Sequence, residues 1–140
     1  MIWTRALAAS DLPHFRVHPN QKKYEYLIGP GLLQIGSVLV LDDDRPLVII
    51  GGMEADNLIA VGALFAETAR KRDMVRLVPY FAAQLRRWRA KGSTVIIDIA
   101  RDFPEAWHYA ERLGFVPGDG PSLGAGFQRM LYDPPSPSLR

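Results

Sequence analysis

The chain has 140 residues and a mass of 15.7 kDa, a size typical of one domain rather than two. Its 48% hydrophobic and 23% charged content is that of a globular protein and excludes a disordered chain. The sequence contains no cysteine, which excludes a disulfide framework, a thiolate nucleophile and cysteine-based metal sites. The 17 basic and 15 acidic residues leave a net charge of +2, too small to indicate nucleic-acid binding by itself.

The first part of the chain predicts short elements. Residues 2–7 predict a first strand, and Ser10 with Asp11 offers an N-cap to a brief helix that ends near Phe15. Residues 20–28 predict a second short helix, because the sequence Gly29-Pro30-Gly31 follows them as a helix stop.

A hairpin is predicted next. Apolar runs over residues 32–41 and 45–53 enclose the acidic sequence Asp42-Asp43-Asp44, which we interpret as a solvated turn, with a cation site as the alternative. Residues 58–65 predict a third strand, with a helix as the alternative for so short an apolar run.

The clearest helix is predicted between about Asp73 and Ala90. Its apolar residues recur at steps of four and three and form one stripe: Met74, Val78, Phe81, Leu85 and Trp88. Pro79 predicts either a helix that begins near Val78 or a bend at Pro79, and Gly92 ends the element.

The last part of the chain alternates strands and a helix. Residues 93–100 predict a buried strand, and Asp102 is predicted to cap a helix over residues 103–113 with Pro104 in its first turn. Residues 115–116 and 127–132 predict two strands around a glycine-rich loop, and a Pro/Ser-rich tail follows. The order of elements predicts a mixed α/β fold.

The segment from Asp102 to Phe115 resembles the fourth helix and following turn of the GNAT acetyltransferase superfamily, in which a Leu-Gly-Phe turn leads into a strand. The predicted order of elements resembles that fold as well, over residues 1–132. The resemblance implies a single α/β domain with a mixed central sheet of about six or seven strands flanked by helices. Residues 133–140 are then an extended C-terminal tail.

The resemblance also implies where a cofactor would bind. Active members have a glycine loop before the long helix, which lets backbone N–H groups approach the pyrophosphate of acetyl-CoA. Here no glycine lies between Gly62 and Gly92, and Asp73 lies where the anion would dock. The sequence therefore predicts no cofactor, with acetyl-CoA as the alternative.

Two further positions of the resemblance concern proton transfer. Active members commonly place a general-acid Tyr and an Asn where this chain has Ala110 and Phe103, neither of which can donate a proton. We therefore predict no catalytic residue. Glu54 and Tyr109 are the alternative acid–base groups, although a solvated Glu and a packing Tyr are the preferred interpretations of these two residues.

A narrower resemblance implies a different role. The sequence Asp102-Phe103-Pro104 before an aromatic-rich helix, with Ile50-Gly51-Gly52-Met53 at a strand end, is similar to GNAT-like proteins encoded among tailed-phage structural genes. It implies a non-catalytic head, internal-core or tail component that contacts other phage structural proteins in multiple copies, in the virion or the host cytoplasm. The alternative function is an acetyl-CoA-dependent N-acyltransferase acting on an amine.

A basic cluster at the start of the long helix, made of Arg70, Lys71, Arg72 and Arg76, is the predicted partner- or anion-binding site. The helix dipole disfavours cations at that end, so their presence suggests docking of an acidic partner or, with weaker support, of DNA. A solvated helix face is the alternative.

His14 and His18 have the i, i+4 spacing of metal ligands but no third ligand nearby, so no metal site is predicted. No apolar run reaches the ~20 residues of a membrane span, so no membrane contact is predicted.

Overall fold

The computed structural model describes residues 1–24, 37–119, 124 and 126–134. The strands are β1 (Ile2–Ala6), β2 (Val38–Asp42), β3 (Arg45–Ala55), β4 (Leu58–Phe65), β5 (Thr94–Ala100), β6 (Phe115–Pro117) and β7 (Phe127–Tyr132). The helical elements are two short 3-10 helices, Ala9–His14 and Lys22–Tyr24, and the α-helices α1 (Lys71–Ala90) and α2 (Pro104–Leu113).

The strands form a seven-stranded sheet in the order β1-β2-β3-β4-β5-β7-β6. This confirms the predicted α/β class with six or seven strands. The contacts within the chain divide it into two compact units, Met1–Met53 with Val61–Arg76, and Glu54–Ala60 with Leu77–Arg140.

The first unit is built on antiparallel strands. β1 pairs with β2, and β2 pairs with β3 in the predicted hairpin, with a bulge between Val40 and Leu41. Apolar side chains from these strands, from β4 and from the segment after the first 3-10 helix form one buried cluster: Phe15, Val17, Leu39, Leu41, Ile49, Leu64 and Ala66. The burial of this cluster supplies the main driving force that holds the segment after β1 in place.

The second unit has β7 paired antiparallel with both β5 and β6. α2 begins with Pro104 and ends at Gly114, which has a left-handed φ of 108°, as the sequence predicts. The residue at the N-cap is Phe103 and not the predicted Asp102, and no side chain caps the helix there. Phe103 is instead buried, so packing and not capping fixes the start of α2.

Several boundaries differ from the predicted ones. α1 begins two residues earlier than predicted and runs through the exposed Pro79, and its most buried positions are Asp73 and Leu77, which the apolar stripe does not include. The first predicted helix is a 3-10 helix, and of the second only Lys22–Tyr24 lies within the described residues. Residues 25–36, most of the glycine-rich loop and the tail from residue 135 lie outside the described residues.

We expect Gly114→Ala to destabilise the protein more than Gly92→Ala. Both glycines have a left-handed φ, 108° and 86°, so alanine is strained at either position by about 1–2 kcal/mol. A Cβ at Gly114 would also lie 2.9 Å from Cβ of Pro134 and 3.1 Å from Cε1 of Tyr132, whereas nothing lies within 4 Å at Gly92. Urea unfolding measures the difference, which we expect to be about 1 kcal/mol or more. Equal losses for the two variants would contradict a close contact at Gly114.

Candidate functional site

An ion pair fixes the start of α1. Arg45, the first residue of β3, donates from Nη1 to Oδ2 of Asp73 (2.9 Å) and from Nη2 to Oδ1 (3.0 Å). The same carboxylate accepts the backbone N–H of Arg70 at 2.9 Å. Asp73 is the third residue of α1 and reaches back to the residue before the helix, as in a capping box. The side chain of Asp73 is fully buried, so the carboxylate acts inside the fold and not at its surface.

Two more charges complete this network. Arg76 donates to Asp42 at 2.8 Å and lies 3.5 Å from Asp73, and Arg45 also reaches Asp42 at 3.3 Å. The N-terminal ammonium of Met1 also lies 3.1 Å from Oδ1 of Asp42, so three cations surround the two carboxylates. The Arg45 guanidinium lowers the pKa of Asp73 to about 2, and the Arg76 guanidinium holds the pKa of Asp42 well below its ordinary range.

Arg45 also holds the segment before α1. Its Nη1 donates to the backbone carbonyl of Thr68 at 3.2 Å, and a turn closes from Ala69 N–H to the carbonyl of Ala66 at 3.0 Å. One guanidinium thus contacts both sides of the helix start. The sequence gives a local signal for the Asp73–Arg70 contact, because a capping box needs only that spacing, but it gives none for Arg45.

The predicted basic cluster separates into two parts. Arg70, Lys71 and Arg72 are exposed around the first turn of α1, whereas Arg76 forms an ion pair with Asp42. Within the described part of the chain, the backbone N–H groups of Lys71 and Arg72 donate to no acceptor. Uncompensated N–H groups at a helix start create positive potential, and here three exposed cations add to it.

The role expected for Asp73 needs a physical correction. The sequence places this carboxylate where an anion would dock, which would repel the anion. In the structure its charge is buried and balanced by Arg45, and its oxygens point to Arg45 and the Arg70 N–H. Asp73 is therefore a part of the scaffold that presents the helix start, and it does not oppose an anion there.

The two alternative acid–base candidates lie in the second unit and in different environments. Glu54 is exposed near the end of β3. Tyr109 lies on α2 with its ring edge-on to Phe81, at 5.9 Å between centroids and 86° between planes, and burial raises the pKa of its phenol. Ala110 and Phe103, at the positions that the resemblance assigns to proton donors, are both buried in the core.

One contact of the first unit was not predicted. The segment 16–21 pairs with the end of β4 and the residues that follow it: His18 N–H donates to Phe65 O (2.7 Å) and Glu67 N–H to Arg16 O (2.8 Å). The Gln21 amide continues this pairing, since it accepts from Phe65 N–H at 2.7 Å and donates to Ala63 O at 3.0 Å.

Among residues 1–24, 37–119, 124 and 126–134, no three His, Cys, Asp or Glu side chains converge in a way that would hold a metal. His14 is exposed at the end of a 3-10 helix, and His18 belongs to the segment along β4. In the same residues, no helix has both the length and the apolar character that crossing a membrane requires.

Solved structures of N-acetyltransferases share this fold. The PaiA N-acetyltransferase of Thermoplasma acidophilum, solved in complex with coenzyme A, matches with a TM-score of 0.69 and 14% identity over 95% of this chain and 99% of that one. An acetyltransferase of Agrobacterium tumefaciens matches with a TM-score of 0.71 and 17% identity, over 94% of this chain and 90% of that one. The ribosomal-protein-S18-alanine N-acetyltransferase of Escherichia coli matches with a TM-score of 0.60 and 13% identity, over 100% of this chain and 99% of that one. No family model and no curated protein matches the sequence.

These likenesses confirm the predicted GNAT-type fold and correct two other predictions. The expected non-catalytic phage virion component is wrong, because the structures that share the fold are acetyltransferases and favour the acyltransferase alternative. The expected absence of a cofactor is wrong as well, since one of these structures holds coenzyme A. Both predictions rest on the missing glycines, and the first rests also on Ala110 and Phe103 at the positions of the proton donors and on the narrower resemblance. That the basic cluster contacts a protein partner or DNA stays a prediction.

We expect Asp73→Asn to reduce the free energy of unfolding at pH 7 by about 2 kcal/mol, because a buried charge facing Arg45 is lost. The pKa of Asp73 is lowered from 3.8 to about 2 by folding, so the wild type has this stabilisation at neutral pH and loses it as the pH falls toward 2. The difference between the two proteins should therefore shrink with acidification. Urea unfolding between pH 7 and 2.5 measures it, and a difference that stays constant with pH would contradict the ion pair.

Asp44→Asn is the matched control for this series. Asp44 is an exposed carboxylate in the neighbouring turn, and the substitution removes the same charge from the chain. We expect it to change the free energy of unfolding by less than about 0.5 kcal/mol.

Proposed function

We propose that this protein is an acetyl-CoA-dependent N-acyltransferase that acetylates an amine. The observation that carries the proposal is the fold, which follows N-acetyltransferases over at least nine tenths of the chain, including one solved with coenzyme A. At identities of 14% and 17% the likeness supports the reaction class but does not identify the acceptor amine.

The start of α1 fits the phosphate groups of the donor. Arg70, Lys71 and Arg72 are exposed cations around a helix start whose N–H groups at Lys71 and Arg72 have no acceptor among the described residues. A helix N-terminus with adjacent basic side chains binds phosphate through hydrogen bonds and charge together. These residues would hold the phosphates, and acetyl-CoA when bound would supply the activated acetyl thioester.

The absence of glycine before α1 does not remove this capacity. Glycine lets the backbone approach a phosphate closely, whereas long side chains reach it from a distance. Arg70 and Arg72 offer guanidinium groups that can contact phosphate oxygens in pairs, and Lys71 adds a third positive charge. We infer that side-chain cations replace close backbone approach in this chain, and that binding depends on them more than it would with a glycine loop.

Acetyl transfer also requires proton transfer. The acceptor amine must lose a proton to react, and the departing thiolate gains one. Tyr109 is our proposed donor, because a phenol carries a proton at neutral pH without any shift of its pKa. Glu54 is exposed near the end of β3 and is our proposed acceptor of the amine's proton.

We expect the variant with Arg70, Lys71 and Arg72 all replaced by Gln to bind coenzyme A at least about tenfold more weakly than the wild type. The wild type should bind with a Kd in the range of about 1–100 μM, as working enzymes do for their substrates. Calorimetric titration at several salt concentrations measures both, and the wild type should lose more affinity with salt than the variant.

The matched control replaces Arg86, Arg87 and Lys91 by Gln. These three cations are exposed near the other end of α1, so the control removes the same charge from the same helix. It should bind coenzyme A like the wild type. A loss of equal size in both variants would assign the effect to net charge, and no binding by the wild type would overturn the proposal. Retention of DNA by the wild type without binding of coenzyme A would overturn it in favour of nucleic-acid contact.

We expect Tyr109→Phe to lower kcat for acetyl transfer by about 100-fold or more, since general acid catalysis contributes at least that much. The variant should keep its affinity for coenzyme A and its thermal midpoint, because the aromatic ring still packs on Phe81. Tyr80→Phe is the control, an exposed tyrosine on α1 whose change should leave kcat as it is. A Tyr109→Phe variant with unchanged kcat would leave Tyr109 as a packing residue only.

A further inference from the structure

A groove of about 270 Å³ opens in the second unit where β5 ends. It is lined by Ala100, Arg101, Pro104, Trp107 and Gln128. This volume is smaller than the ~300–1,000 Å³ of pockets that bind drug-sized ligands, so the groove suits one small molecule. None of these residues belongs to the basic cluster or to the acid–base candidates.

The walls of the groove are fixed by backbone hydrogen bonds. Arg101 N–H donates to the carbonyl of Gly126 at 2.8 Å, and Phe103 N–H donates to the carbonyl of Ala100 at 3.1 Å. Gln128 lies on β7 directly opposite Ile99 of β5. The backbone that carries Arg101 and Gln128 is therefore in position before a ligand arrives, which lowers the entropic cost of binding.

The residues that line the groove supply one positive charge and one hydrogen-bond acceptor. Arg101 is exposed, and its guanidinium has no partner within the described residues. The Gln128 Nε2 group donates to the carbonyls of Arg129 (3.1 Å) and Gly118 (3.4 Å), which uses both of its N–H bonds. The amide therefore leaves Oε1 as an acceptor, and this orientation is fixed because the opposite one would set oxygen against two carbonyls.

The remaining surface is apolar and flat. Trp107 is half-buried on α2 and lies one turn after Pro104, so the two side chains are neighbours on one face of the helix. An indole beside a proline ring offers a surface on which a planar or branched apolar group packs. Ala100 contributes only a methyl group, which leaves the space open.

We propose that this groove binds a free α-amino acid with an aromatic or large apolar side chain. Its carboxylate pairs with Arg101, its ammonium donates to Oε1 of Gln128, and its side chain packs on Trp107 and Pro104. This binding site is separate from the acid–base candidates, because Trp107 and Tyr109 are two residues apart on α2 and so lie on opposite faces of the helix. A polyamine is disfavoured, because no carboxylate among the described residues lines the groove and Arg101 repels a second cation.

The test uses L-phenylalanine and phenethylamine, which differ only in the carboxylate. Titration of the ¹⁵N-labelled protein, without acetyl-CoA, follows the indole resonance that is missing from a Trp107→Phe variant. We expect saturable shifts with L-phenylalanine and affinity at least about tenfold weaker for phenethylamine. Arg101→Gln should weaken L-phenylalanine binding by about tenfold or more, and Arg112→Gln, which changes an exposed Arg near the far end of α2, should not.

Two results would overturn the groove proposal: no saturable shift up to about 10 mM amino acid, or equal affinity in the wild type and Arg101→Gln. The binding measurement is independent of acetyl transfer. Binding of L-phenylalanine without binding of coenzyme A would overturn the transferase and leave the groove. Binding of coenzyme A without binding of L-phenylalanine would overturn the groove alone.

Discussion

The pairing of Arg45 with Asp73 is the interaction on which the first unit's candidate site depends. It joins the first residue of β3 to the third residue of α1 through two hydrogen bonds of 2.9 and 3.0 Å around a carboxylate with no exposed surface. Since Asp73 also accepts the Arg70 N–H, the same pair decides where α1 begins. A helix can start in several registers along a polar stretch, and a buried ion pair selects one of them.

The same ion pair explains why charges of both signs lie together at the start of α1. Cations at a helix start oppose the dipole, and a carboxylate among them would oppose any anion. Burial and pairing remove Asp73 from the exposed charge, and Arg76 is balanced by Asp42. What remains at the surface is three cations beside N–H groups with no acceptor in the described chain, an arrangement whose own repulsion the phosphate groups of our proposed cofactor would relieve.

Sequence periodicity predicted the fold well where the signal is local. The hairpin of β2 and β3, the strand β7, the end of α2 at Gly114 and the span of α1 within two residues all follow from alternation, turn residues and helix stops. The sequence predicts the function less well, because the missing glycines and the residues Ala110 and Phe103 indicate a non-catalytic protein without a cofactor, which the likeness to acetyltransferase structures contradicts. Compensation by Arg45 joins residues 28 positions apart, and the lining of the groove joins Arg101 to Gln128 across a strand pair. Such contacts exist only once the chain has folded.

The last residues of β4 show how one side chain can take the place of a neighbouring strand. β4 is an inner strand of the sheet, and the backbone N–H and C=O groups of inner strands need partners on both sides. Near the end of β4 the amide of Gln21 satisfies the donor of Phe65 and the acceptor of Ala63. One side chain thus substitutes for a peptide unit. The end of this strand therefore depends on a side chain that carries a donor and an acceptor in one planar amide, a combination that only Gln and Asn supply.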